Sequence, residues 1–314
     1  MRAFCEERWF DPVFYAGMSR DEANGYNQLQ EPWYFEAAGH MLGPDPERFL
    51  DDYKFNIRPT TDDKPYFSQF LKWKTLPELL TLRNRGGMPL LEWGYLILVA
   101  TLAQAVLASV LFLILPLWLR QRTEQSKPGI RWRFLAFFSA IGMAFMFIEI
   151  AFIQKFILFL SHPLYAVSVV LCAFLVFAGL GSLLSARLLR SVPLMMIASG
   201  ITLLSVLYLL VLPGLFNWLA HIPGGLKISV SVLLIAPLAL LMGVPFPRGL
   251  CLVSERLPTW IPWAWGINGC ASVISAILAT LLAIHFGFVF VVIAAASLYL
   301  LAAIVMRGVS ASTV

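Results

Sequence analysis

The sequence predicts an all-α fold, a polytopic membrane helix bundle of about seven spans with a small N-terminal polar segment. Three observations predict it. Of 314 residues, 59% are hydrophobic and only 13% charged, the profile of a multi-pass membrane protein. Apolar runs long enough to cross about 30 Å of hydrocarbon as helices recur through residues 89–314. Charge divides at the same place: residues 1–88 hold 11 Lys+Arg and 14 Asp+Glu, whereas residues 89–314 hold 12 and 4. The formal net charge of +5 therefore comes from basic loops between spans. That pattern gives no nucleic-acid partner; the partner it implies is the lipid bilayer.

Residues 1–88 form the first domain. Its start, MRAFCEERWF, lacks the apolar stretch of a secretory signal. Ser19 followed by Glu22 is a capping-box pattern and predicts a short helix over 20–29. Residues 32–41 and 46–53 predict two more, each starting near a proline. IRPTTDDKPYFSQFLKW reads as an extended, proline-bounded connector. Its charged candidates are Arg58, Asp62 and Asp63, the aspartates as caps or salt-bridge partners. Residues 75–83 predict an amphipathic helix at the membrane surface. With few aliphatic runs and no strand–helix alternation, the segment is expected to be the tail of a catalytic domain, or a cap on the membrane part.

The second domain, 89–314, predicts spans at about 91–119, 134–160, 164–186, 194–216, 227–244, 263–285 and 286–306. Trp93, Tyr95 and Trp118 mark the interfaces of the first. Pro163 turns the chain out of the second, and Arg187 and Arg190 close the third. A loop with Asn217, His221 and Pro223 follows the fourth, and the fifth breaks at MGVPFPRG. Small residues recur at every fourth position, at Ala178, Ser182 and Ala186 and again at Ala271, Ser275, Ala279 and Ala283. That spacing lets helix backbones approach closely in lipid. Ten basic residues flank the spans on the side of the 120–133 loop and five on the other. The positive-inside rule then places the C-terminus inside and residues 1–88 outside.

Polar groups inside the spans are the candidate sites. Glu149 lies about 18 Å of helix rise from the turn at Ser161–Pro163, near the middle of the hydrocarbon. A carboxylate there costs about 3 kcal/mol or more unless protonated, paired or wetted. Glu149 and Gln154 read either as a proton or substrate site or as an interhelical hydrogen bond. Lys155, about 9 Å from the span end, can snorkel to the headgroups. Asn268 is expected to bond another helix, and Arg248 to anchor a loop or meet a headgroup. The four cysteines and four histidines lack metal-ligand spacing, so no metal is expected.

Five stretches in this order carry a resemblance: IRPTTDDKPYF, FMFIEIAFIQKFILFLSHP, AGLGSLLSARL, LMGVPFPRGL and PWAWGINGCASVISAILATLLAIHFGF. Together the sequence resembles bacterial integral-membrane spermidine synthase-like proteins, also described as polyamine aminopropyltransferase-like or methyltransferase-like membrane proteins. The resemblance covers nearly the whole chain and implies the bacterial inner membrane. Members join a nucleotide-fold catalytic domain to multi-span hydrophobic domains. An enzyme of this kind binds S-adenosylmethionine or its decarboxylated form at a glycine-rich strand-to-helix turn. Here Gly179-Leu180-Gly181 sits in a span and Gly224-Gly225 in a loop. No cofactor and no catalytic residue is therefore expected on this chain, which looks like the C-terminal membrane part, its transferase domain on a separate chain or lost.

Two functions follow. The first is a membrane domain that anchors the transferase-like system or presents its substrate. The alternative is a transporter-like protein for a small amine or lipid-like solute, with Glu149 as counter-charge. A structural subunit of a membrane complex is the third reading. Homo-oligomerisation and enzymatic activity stay open at this point.

Overall fold

A computed structural model of the chain describes residues 2–26, 29–66, 69–81, 93–114, 116, 128–187 and 191–310. Among the described residues there is no strand, only an isolated antiparallel bridge between Thr61 and Lys64. The chain divides into two compact units, Met1–Pro59 with Phe67–Glu92, and Thr60–Tyr66 with Trp93–Val314.

The first unit holds α1 (Arg2–Arg8), α2 (Trp33–Met41), α3 (Pro46–Asp52) and α4 (Leu76–Thr81). Asp45 caps α3 by accepting the Arg48 N–H at 3.3 Å, ahead of a proline at the first helical position. The helix expected over 20–29 is a single 3₁₀ turn, Arg20–Glu22. The Glu22 carboxylate does accept from Ser19, but Asn24 ends the turn. Its φ is +61°, and its side chain binds both the N–H and the carbonyl of Leu29, at 2.6 and 2.5 Å. Those bonds compete with a helical ladder, the ordinary reason asparagine favours turns.

The second unit is a bundle of seven helical segments long and apolar enough to span a membrane. In order they are α5 (Trp93–Ser109) running into a π-helical turn (Val110–Ile114), α6 (Pro128–Leu160), α7 (Pro163–Arg187), α8 (Leu194–Trp218), α9 (Gly224–Met242) with α10 (Pro245–Arg256), α11 (Ile261–Phe286) and α12 (Phe288–Ser310). Proline opens α6, α7 and α10, where its missing N–H costs no hydrogen bond. The expected basic loop 120–133 is shorter than its limits. Arg131 and Arg133 belong to the first turns of α6, and Arg131 is buried near the Trp260 ring. Arg83, Arg85, Arg120, Arg122, Lys127 and Arg190 lie outside the described residues.

The core is built around α6, which packs against α7, α9, α10, α11 and α12. Its inward face carries Phe137, Phe138, Ala144, Ile148, Ala151 and Phe156, all sealed from solvent. Opposite lie Ala271, Ser275, Ala279 and Ala283 of α11, all buried, so the small-residue stripe of that helix faces the core. A second close contact joins α7 to α9. A Cβ at Gly181 would collide with the Leu240 carbonyl oxygen, and one at Gly243 with the Ala178 carbonyl oxygen. Only glycine at these two positions permits that approach.

Candidate functional site

The connector 60–66, expected to belong with the N-terminal segment, is part of the bundle unit. Its charged residues fasten it to the turn between the last two spans. Asp63 accepts the Val289 N–H on its carboxylate at 2.9 Å, and its main-chain carbonyl accepts the Phe288 N–H at 3.1 Å. It thus caps the start of α12 from 226 residues away in sequence. Gly287 lies at φ +89°, and a Cβ there would collide with the Asp63 carboxylate, so glycine serves both backbone and space. Lys64 Nζ donates to the His285 carbonyl at 2.8 Å at the end of α11. Tyr95 Oη and His285 Nε2 are 2.9 Å apart, tying α5 to the same corner. Tyr66 lies against Phe288, and its buried hydroxyl has no hydrogen-bond partner among the described residues. Burial pushes its pKa up to about 12.

Beside this corner a cavity of about 520 Å³ enters the bundle between α6, α8, α9 and α12, within the size range of ligand sites. Its wall is apolar and aromatic, including Phe152, Phe159, Leu212 and Phe216. Its charged lining residues are Asp62, Asp63, Lys155 and Lys227. Lys155 Nζ lies 3.7 Å from Asp63 Oδ1 and donates to the Asp62 carbonyl at 3.4 Å. Lys227 Nζ sits 5.4 Å from the centre of the Phe159 ring, a cation–π arrangement. Ser205 lines the inner end, fully buried, and its hydroxyl has no partner among the described residues. Two turns on, Pro213 has no N–H to offer the Leu209 carbonyl, and both residues line the cavity. Ser205 and Asn217, both in the lining, are about 18 Å apart along α8.

The other sequence candidates fall elsewhere. Glu149 is 4% exposed and outside the cavity lining. Among the described residues it has no hydrogen bond or ion pair. Gln154 is half-buried on α6. Asn268 faces the α6 backbone at Gly142: a Cβ on that glycine would stand 2.8 Å from Asn268 Oδ1. Arg248 donates to the Val192 carbonyl at 2.7 Å, bridging α10 to the loop before α8. Arg58 stays in the N-terminal unit, bonded to Asp51 at 2.8 Å and Glu47 at 2.9 Å. Its hydrogen bond holds the Asp51 carboxyl below its ordinary pKa. Among the described residues no group of three or more His, Cys, Asp or Glu is placed to hold a metal.

Sequence reasoning found Asp62, Asp63 and Lys155 but missed that they share a cavity. It passed over Lys227 and Ser205. Lys227 counted only towards orientation, and one serine in an apolar span carries no local signal. Comparison of the chain with protein-family models, curated proteins and solved structures returns no match.

Proposed function

We propose that this multi-pass membrane protein holds an amphiphilic molecule, apolar part inside the bundle and polar part at the charged rim, and presents it to a partner. The cavity carries this reading, because an apolar interior with a charged rim matches an amphiphile and not a small hydrophilic solute. The resemblance to spermidine synthase-like membrane proteins supports a transferase domain as the partner, acting on the presented head. The transport alternative relies on Glu149 as counter-charge, and that carboxyl is outside the cavity lining, so binding and presentation is the better-supported function.

The test is native mass spectrometry of the full chain purified in mild detergent. The wild type should retain an amphiphile of defined stoichiometry. Leu209→Trp, which adds bulk from a half-buried position of the lining, should lose it with the melting temperature nearly unchanged. Equal retention by both would place the bound molecule on the outer surface of the bundle and defeat the reading.

A further inference from the structure

The four charged residues of the cavity lining divide into a pair and two singles. Lys155 and Asp63 face each other at 3.7 Å, and the Asp63 carboxylate is further held by the Val289 N–H. Their charges cancel within the protein. The other two are uncommitted. Among the described residues no carboxylate lies within ion-pair distance of Lys227, whose ammonium has only the Phe159 ring. Asp62 uses its main-chain carbonyl to receive Lys155, and among the described residues no cation pairs with its carboxylate. Among the described residues the lining thus presents one ammonium and one carboxylate without a protein counter-charge, and all four residues lie within one compact unit.

We propose that the cavity binds a zwitterionic amphiphile drawn from the bilayer. Its anionic group, a phosphate or carboxylate, pairs with Lys227, and its ammonium with Asp62. This deepens the function proposed above and rests on it. A purely anionic head would answer Lys227 while meeting the Asp62 carboxylate, and a purely cationic head would meet the reverse. Only a head with both signs answers both groups without leaving a charge opposed. The apolar wall supplies the second half of the recognition, since a water-soluble head compound alone buries none of it.

The experiment uses the full chain in detergent, stripped of bound lipid. Phosphatidylethanolamine and phosphatidylglycerol with matched acyl chains are offered together and read by native mass spectrometry; phosphoethanolamine is offered separately. The wild type should prefer phosphatidylethanolamine by about tenfold, the discrimination that ~1.4 kcal/mol supplies. Asp62→Asn should reverse the preference towards phosphatidylglycerol. Lys227→Gln should weaken both lipids. Among the described residues neither side chain has a hydrogen bond or ion pair, so Asp62→Asn should melt with the wild type and Lys227→Gln, which also gives up the Phe159 ring contact, close to it. Equal retention of the two lipids, or a preference untouched in both variants, would overturn the head assignment while leaving the cavity as an amphiphile site. Phosphoethanolamine binding as tightly as the lipid would overturn the need for a tail. A wild type that retains neither lipid would overturn this inference together with the function it rests on.

Discussion

The Asp63 carboxylate receives the Val289 N–H and faces Lys155, while its main-chain carbonyl receives the Phe288 N–H. Asp63→Ala removes the side-chain cap and leaves Lys155 without its carboxylate. The expected loss is about 0.5–2 kcal/mol, the range for capping residues, read as a lowered melting temperature in detergent. Asp63→Asn keeps an acceptor and should recover part of it. Gly287→Ala should cost more than Asp63→Asn, because it adds a Cβ at φ +89° and drives it into that carboxylate. The sequence made part of this legible. Two aspartates in a proline-bounded connector read as caps, but their target was not, because capping patterns are local and this cap crosses 226 residues. Lys155 likewise reads as a snorkelling residue from its depth alone; its contacts with Asp63 and the Asp62 carbonyl depend on where the connector folds back. For Glu149, a carboxyl amid an apolar run reads as facing the bundle interior, and the residue is 4% exposed.

Among the helices, the α7–α9 contact is the tightest feature, with Gly181 against Leu240 and Gly243 against Ala178. Both collisions would involve backbone oxygens, which cannot swing aside as side-chain tips do. Gly243→Val should therefore separate the two helices and destabilise the bundle by about 1–3 kcal/mol or more. Gly179→Val, where a Cβ meets open space, is the matched control and should melt close to wild type. The spacing of Ala178, Ser182 and Ala186 does announce a small-residue face. The contact is made instead through Ala178 and Gly181, with Gly243 supplied by the break in the fifth span. A helix's periodicity names its candidate faces, and packing chooses the rotation. The π-helical turn at Val110–Ile114 had no sequence signal at all, since neither Gly nor Pro marks it. Most span limits were legible because prolines, glycines and charges punctuate them; the helix of the second span starts six residues before its expected limit, at Pro128, and the expected end of the first lies outside the described residues.

For the whole molecule, counting crossings fixes which ends share a side. The connector precedes the first span, and the turn it caps follows the sixth; an even number of crossings puts them together, as their hydrogen bonds require. Ser161 after the second span and Asn217 after the fourth also line the cavity. The cavity therefore belongs to the connector side, opposite Arg131, Arg248 and Arg307. The positive-inside rule predicts that this is the outer face, whereas a cofactor-dependent transferase partner would meet the cavity from the cytoplasm. Single cysteines decide between them. After Cys5, Cys172, Cys251 and Cys270 are replaced, Gly224→Cys should label with an impermeant thiol reagent in intact cells, and Ser126→Cys should not. A Cβ at Gly224 meets open space, so the probe perturbs nothing. Labelling at position 126 alone would reverse the orientation and bring the rim to the cytoplasmic side.

The cap of the final hairpin also sets a schedule for biogenesis. Residues 60–66 leave the ribosome well before their partners, since Val289 follows Asp63 by 226 residues. At about 5–20 residues per second, the connector waits roughly 11–45 s for its partner. During that interval Asp63 and Lys64 have no helix ends to satisfy. The hairpin of α11 and α12, once inserted, closes the bundle onto a segment made before any of these seven spans. Latching of the connector is thus gated by the sixth and seventh of these spans, and a nascent chain stalled before residue 287 would hold an unlatched connector open to a translocon-associated chaperone.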